Sequence, residues 1–267
     1  MDINAKAELG WLAAPRGKTT ALLLAARAGD VGMMAALATV RGLRLDLADD
    51  ISGTVLHAAV ASGSLDALRF VLDTLACICN REGKLAGLRG EVAFNPIGPA
   101  ESDGLTPLLL AVRAGSTAMV SALLATRGVD SSACSASGQS AAYLAAKHGH
   151  LDVLRLLVDD GRTCIDTPDD YGYTALHVAT QHKRLDFVTY LIEDVGCSPE
   201  ATTASGAITP LYLAALVGSL DLVKYLLERH NVDPNVPSDK GWYPLHAAAQ
   251  GGHGAVLRPF LEDGGAK

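Results

Sequence analysis

Apolar residues come in short bursts along this chain, and each burst is framed by the same polar signals. In "TALLLAARAG" (20–29) a threonine precedes an alanine- and leucine-rich run that stops at a glycine. The order recurs in "TVLHAAVASG" (54–63), "TPLLLAVRAG" (106–115), "SAAYLAAKHG" (140–149), "TALHVATQHK" (174–183), "TPLYLAALVG" (209–218) and "YPLHAAAQGG" (243–252). The first residues lie 34, 52, 34, 34, 35 and 34 apart, so seven copies share one period. A second apolar run at helical spacing then follows, as in "HLDVLRLLVDD" (150–160) and "SLDLVKYLLER" (219–229). Each copy therefore predicts a pair of helices.

Local chemistry places the ends of the first helix. Thr20, Thr54, Thr106, Ser140, Thr174 and Thr209 stand where a side-chain oxygen caps it. Pro107, Pro210 and Pro244 follow at the first helical position, where a missing N–H costs nothing. Gly29, Gly63, Gly115, Gly149, Gly218 and Gly252 close it, as a left-handed terminus requires. Polar turns such as "DDYG" (169–172) and "SDKG" (238–241) separate the copies. One helix pair cannot bury its apolar face alone, whereas stacked pairs share a continuous core.

"TPLLLAVRAG", "TALHVATQHKRLDFVTYLI" and "YPLHAAAQGGH" resemble the T-P-L-H-x-A-A-x-x-G-H motif of ankyrin repeats. The resemblance covers about 15–267 apart from one insertion, and implies an all-α repeat solenoid of helix–turn–helix pairs with projecting β-hairpin fingers. Residues 1–14 form a lead-in. The repeats fall near 15–48, 49–76, 101–134, 135–168, 169–203, 204–237 and 238–267 of a single domain, with 77–100 inserted.

Composition narrows the class. Hydrophobic residues make up 49% and charged ones 19% of the 267 residues, so the chain has enough apolar content to fold. Aromatics are only 5%, and a core of Ala, Leu and Val favours closely packed helices. A net charge of -7 argues against nucleic acid or anionic membrane as the partner. "MDINAKAELGWL" lacks the cationic start and apolar core of a secretory signal, and no run is long enough to span a membrane. Five cysteines, an odd number, fit free thiols in a reducing compartment. The expectation is a soluble intracellular protein, cytoplasmic or nuclear and monomeric by itself.

Departures from the period carry information because the other copies serve as controls. Residues 77–100 lengthen the second copy, either as a flexible excursion or as an ordered binding element in which "EVAF" extends a finger. Lys183 replaces the terminating glycine of the fifth copy, where a left-handed non-glycine costs about 1–2 kcal/mol. In the last copy Tyr243 replaces the cap, and Pro259 falls inside the second apolar run. That helix either starts late, with Pro259 in its first turn, or is kinked there. The copy ends with Lys267, as a terminal cap or a piece of a longer protein would.

The candidate chemistry is thin. Gly17-Lys18-Thr19 resembles the end of a phosphate-binding loop, but the glycine that pattern needs five residues earlier is Leu12. His57, His177 and His246 recur at the fourth place of their copies, where the resemblance implies a structural histidine bonding backbone around the hairpin. Cys164 and Cys197 take nearly equal places after second helices and suit small buried residues. Cys77, Cys79 and the "KHGH" of 147–150 lack the paired spacing of a zinc site. No metal, cofactor or catalytic set is expected, and the chain is not expected to be an enzyme.

Recognition of a protein partner is the expected function. The resemblance implies that finger residues and the residues ending the first helices line a concave binding face. Carried onto this sequence, the fingers give Asp103 and Leu105, Ser137 and Gln139, Tyr171 and Tyr173, then Lys240 and Trp242. The helix ends give Arg113, Lys147 and His148, Gln181 and His182, then Leu216 and Val217. The sixth finger has one extra residue around Gly206, which leaves its register open. Exposed Tyr and Trp beside an apolar patch suit an interface, although Tyr173 and Trp242 could instead pack on neighbouring fingers. An alternative role is a regulatory or targeting segment of a larger enzyme.

Overall fold

A computed structural model describes residues 21–39, 53–82, 103–126 and 129–262, with side chains described to 74 in the second stretch and to 261 in the last. Lys18, Thr20 and the stretch 83–100, "EVAF" included, lie outside the described residues, as do the side chains of Cys77 and Cys79. By internal contacts the chain divides into two compact halves, Met1–Ala136 and Ser137–Lys267.

The first half holds α1 (Ala21–Ala28), α2 (Val31–Ala38), α3 (Val55–Ala61), α4 (Leu65–Glu82), α5 (Pro107–Arg113) and α6 (Thr117–Leu124). First helices of successive repeats pack together, α1 on α3 and α3 on α5. Their touching faces are alanine-rich: Ala26, Ala58, Ala59 and Ala111 are essentially inaccessible, and small side chains let the helices approach closely. Leu56, Leu68, Leu108, Met119 and Leu123 fill the space between first and second helices. Each such side chain contributes about 1.5–3 kcal/mol by leaving water. The insertion starts as a helix, because α4 runs on to Glu82.

The second half repeats the plan with α7 (Ala141–His148), α8 (Leu151–Asp160), α9 (Ala175–Gln181), α10 (Leu185–Thr189), α11 (Pro210–Val217), α12 (Leu220–Lys224), α13 (Pro244–Gln250) and α14 (Gly254–Glu262). α7, α9, α11 and α13 pack in sequence, and Leu154, Leu157, Phe187, Leu191, Leu222, Leu226 and Phe260 form the core behind them. The ends of α10 and α12 widen into single π turns, Tyr190–Asp194 and Tyr225–Arg229, which the sequence pattern did not announce. α14 starts at Gly254 and carries Pro259 inside it, which rules out a late start.

The caps follow the chemistry of each copy. Thr106, Ser140 and Thr209 accept from the backbone N–H three residues on, at 3.1–3.2 Å. In two copies carrying histidine the threonine also meets that ring in a reciprocal capping box, with Thr54 and Thr174 Oγ1 2.8 and 2.9 Å from Nδ1 of His57 and His177. Cys197 is buried, and burial pushes its thiol up to about 12. Cys164 is exposed, contrary to the expectation of a buried residue, because it stands one residue further from its cap Ser140 than Cys197 stands from Thr174, and Thr163 takes the buried place instead.

Lys183 takes up the left-handed conformation its place demands, with φ 57, while its N–H still donates to the Thr180 carbonyl at 3.0 Å. Lys183→Gly is expected to relieve the strain and, after glycine's entropic penalty, to stabilise the fold by about 1 kcal/mol or less. An unchanged or lowered melting temperature would count against this.

Candidate interaction surface

The fingers are turns rather than strands: among the described residues no β-strand forms, and Gly53 alone makes an isolated bridge. The fifth finger shows why. Asp169 N–H donates to the Tyr173 carbonyl at 2.9 Å, and Asp169 Oδ1 accepts from the N–H groups of Tyr171 and Tyr173 at 3.0 and 2.8 Å. With the turn closed by one carboxylate, no second strand pair is needed. Trp242 closes the seventh finger similarly, its carbonyl accepting from Ser238 N–H at 2.8 Å.

Neighbouring fingers of the second half are tied by backbone and short side-chain hydrogen bonds. Asp170 N–H donates to the Ser137 carbonyl, and Ser205 Oγ to the Tyr171 carbonyl at 2.6 Å. Gly206 and Asp239 bond reciprocally at 3.0 Å, the Asp239 N–H to the Gly206 carbonyl and the Gly206 N–H to Asp239 Oδ2. This fixes the sixth finger. Its extra residue, Ala207, stands at φ 47 directly after Gly206 at φ 100.

The fourth-place histidines are structural. His177 is fully buried and its Nε2 lies 3.0 and 3.1 Å from the carbonyls of Ala201 and Ile208. Carbonyls only accept, so Nε2 carries the proton and Nδ1 is left to accept from Thr174, whose N–H lies 3.3 Å away. Burial, the largest cause, lowers the pKa of His177 below 6.5. The His57 ring bonds across to the next repeat in the first half, its Nε2 3.1 Å from the Leu105 carbonyl. His246 is exposed and keeps only the local bond, from Tyr243 N–H to Nδ1 at 3.3 Å.

The candidate contact residues fall into distinct settings. Tyr171 is 67% exposed at the tip of the fifth finger, and Trp242 is 42% exposed at the tip of the seventh, beside exposed Lys240. Tyr173 is half-buried and meets the His177 ring edge-on at 6.0 Å between centroids. His148, Gln181, His182 and Leu216 are exposed, whereas Lys147 and Val217 are half-buried. On the fourth finger Ser137 is exposed and Gln139 half-buried. Arg113 belongs to the first half, exposed and 3.8 Å from Asp103 Oδ2. Leu105 is buried and serves the His57 bond, so it presents no side chain to a partner.

Between the sixth and seventh fingers opens a groove of about 470 Å³. Trp242, Tyr212 and Ile208 form its apolar wall, and Lys240, Gln250 and Ser205 supply polar groups. Tyr212 escaped the sequence reading, although the signal was present: it takes the place that histidine takes in the neighbouring copies. Tyr143 takes the same place two copies earlier. Burial and a hydrogen bond to Asp169 raise its pKa to about 12, so its hydroxyl remains a donor. Among the described residues no cluster of His, Cys, Asp and Glu could hold a metal, and no helix is long and apolar enough to cross a membrane.

Stacked helix pairs, hydrogen-bonded turn fingers and structural histidines define a repeat scaffold that presents side chains from its turns and helix ends. The family description "Ankyrin repeats (3 copies)" matches residues 92–164, 108–203 and 195–267, and the chain belongs to this family. Relatives include alpha-latrocrustotoxin-Lt1a of Latrodectus tredecimguttatus, 35% identical over 43% of this chain and 8% of the toxin. Alpha-latrotoxin-Lg1a of Latrodectus geometricus is 33% identical over 48% of this chain and 9% of the toxin. A glycerophosphocholine phosphodiesterase of Candida albicans, GDE1, is 24% identical over 84% of this chain and 18% of that protein. The matched stretch is thus a small part of each relative. Ankyrin repeats act generally as protein-binding modules.

Proposed function

We propose that this chain works by non-covalent binding of a protein partner through the fingers and first helices of its second half. The observation that carries the reading is the groove beside Trp242, where an exposed indole stands with Tyr212 and Ile208 at the mouth of a space large enough for an apolar side chain. Exposed tryptophan and tyrosine at such a site make interface anchors, because they bury a large apolar area at little rotamer cost. Lys240, Gln250 and Ser205 supply the polar rim. The fixed finger-to-finger bonds hold these groups before any partner arrives, which reduces the ordering cost of binding.

Affinity capture with the wild-type chain, followed by titration of the captured protein, tests the reading. Trp242→Ala with Tyr171→Ala should weaken binding by more than about tenfold while leaving the melting temperature nearly unchanged. Full affinity in the folded double variant would defeat it.

A second reading, a targeting or regulatory segment of a larger polypeptide, is supported by the relatives, in which the matched stretch is less than a fifth of the protein. A transcript that continues into a catalytic domain would establish it, and one without such a domain would reject it. In either reading the work is done inside the cell and without a cofactor.

A further inference from the structure

A separate part of the second half gathers positive charge. Lys147 and His148 end α7, and His182, Lys183 and Arg184 follow α9 in the next repeat. Arg184 joins the two groups, since its Nη2 donates to the Lys147 carbonyl at 3.2 Å and its guanidinium lies 5.9 Å from the centre of the Phe187 ring. Lys147 and Arg184 are close enough to His182 to oppose its protonation, after the larger effect of burial. The His148 ring stacks on His150 at 6.2 Å between centroids.

This charge is not neutralised within the fold. Among the described residues Lys147, His182, Lys183 and Arg184 form no ion pair with a carboxylate, and Arg184 Nε is buried without an acceptor. In a chain of net charge -7, carboxylates to pair with such a cluster are plentiful. Like charges held together raise the energy of the free protein, and an anion seated among them lowers it again.

We propose that this cluster is a docking site for a short acidic segment of a partner protein, whose carboxylates sit between Lys147, His182, Lys183 and Arg184. Charge complementarity selects the segment, and the limited extent of the cluster sets its length. Asp152 and Asp186, in the first turns of α8 and α10, stand two residues beyond His150 and Arg184. A polyanion that continued past the site, such as a nucleic acid strand, would meet those carboxylates and the acidic remainder of the chain. A short segment with a few carboxylates would not. The proposal is independent of the Trp242 groove.

The test is fluorescence anisotropy with the whole chain and three labelled probes: a short peptide of alternating Glu and Ser, the same peptide with Gln for Glu, and a short oligothymidylate. The proteins are wild type, Lys147→Glu/Lys183→Glu, the milder Lys147→Gln/Lys183→Gln, and Lys224→Glu as an exposed control on α12. Circular dichroism establishes that each is folded. The Glu peptide should bind wild type and the Lys224 variant equally, at least about tenfold more weakly after double reversal, and to an intermediate degree in the Gln pair. It should weaken with salt, and the Gln peptide should not bind. Equal binding by the double-reversal or Gln variants, no binding of the Glu peptide by wild type, or oligothymidylate binding as tight as the peptide would each overturn the proposal.

Discussion

Gly172→Ala is expected to destabilise the second half by about 3 kcal/mol or more, whereas Gly241→Ala should cost only about 1–2 kcal/mol. Both glycines stand at finger tips in the left-handed region, at φ 85 and φ 76, so both variants meet the same backbone penalty. Their surroundings differ. A Cβ on Gly172 would fall on the backbone nitrogen of Ala204 in the next finger, and backbone cannot swing aside as a side chain does. A Cβ on Gly241 meets nothing within 4 Å. Forcing neighbouring fingers apart adds an overpacking cost of roughly 1–3 kcal/mol. It also strains the 2.6 Å bond from Ser205 Oγ to the Tyr171 carbonyl. Urea denaturation of the two variants measures the difference. Equal shifts in midpoint would show that the close approach of the fingers contributes nothing.

His177→Ala should cost roughly 3–5 kcal/mol, against about 1 kcal/mol or less for His246→Ala. Removing the buried ring leaves the Ala201 carbonyl and the Thr174 N–H without the ring as partner, leaves the Ile208 carbonyl with the Thr203 N–H alone, and opens a cavity. His246 is exposed, so water replaces what its ring provides. The same geometry gives a pH dependence. The folded-state pKa of His177 is depressed, so below about 6.5 the unfolded chain takes up a proton that the folded chain resists. Stability should therefore be intact above that pH, fall as the pH drops toward the folded-state pKa, and level off below it. His177→Gln should show a smaller loss between pH 7.5 and 5.5 than wild type. An identical loss would assign the effect to other groups.

Much of this was legible in the residues. The period, the capping threonines and the closing glycines depend on local backbone chemistry, which repeats wherever the sequence repeats, whereas the buried fourth-place histidines reach carbonyls of the next repeat. Lys183 stood out for the same reason: a single departure among glycines marked a left-handed position that the chain indeed adopts. Cys164 differs from Cys197 because a one-residue offset from the cap decides which side of the chain faces the core, and at that place its own copy buries Thr163. The π turns ending α10 and α12 had no signal, since their residues follow ordinary helical spacing.

The sequence by itself determined the family, the helix pairs and the ends of the first helices, because capping and helix termination depend on interactions within a few residues. Only the tertiary structure decided which of those side chains meet. Tyr212 and Trp242 come from different repeats and line one groove, Arg184 reaches back to the carbonyl of Lys147, and Leu105 turns inward to serve His57. Such pairings depend on the stacking of one repeat on the next, a distance of about 34 residues along the chain over which local pattern carries no information.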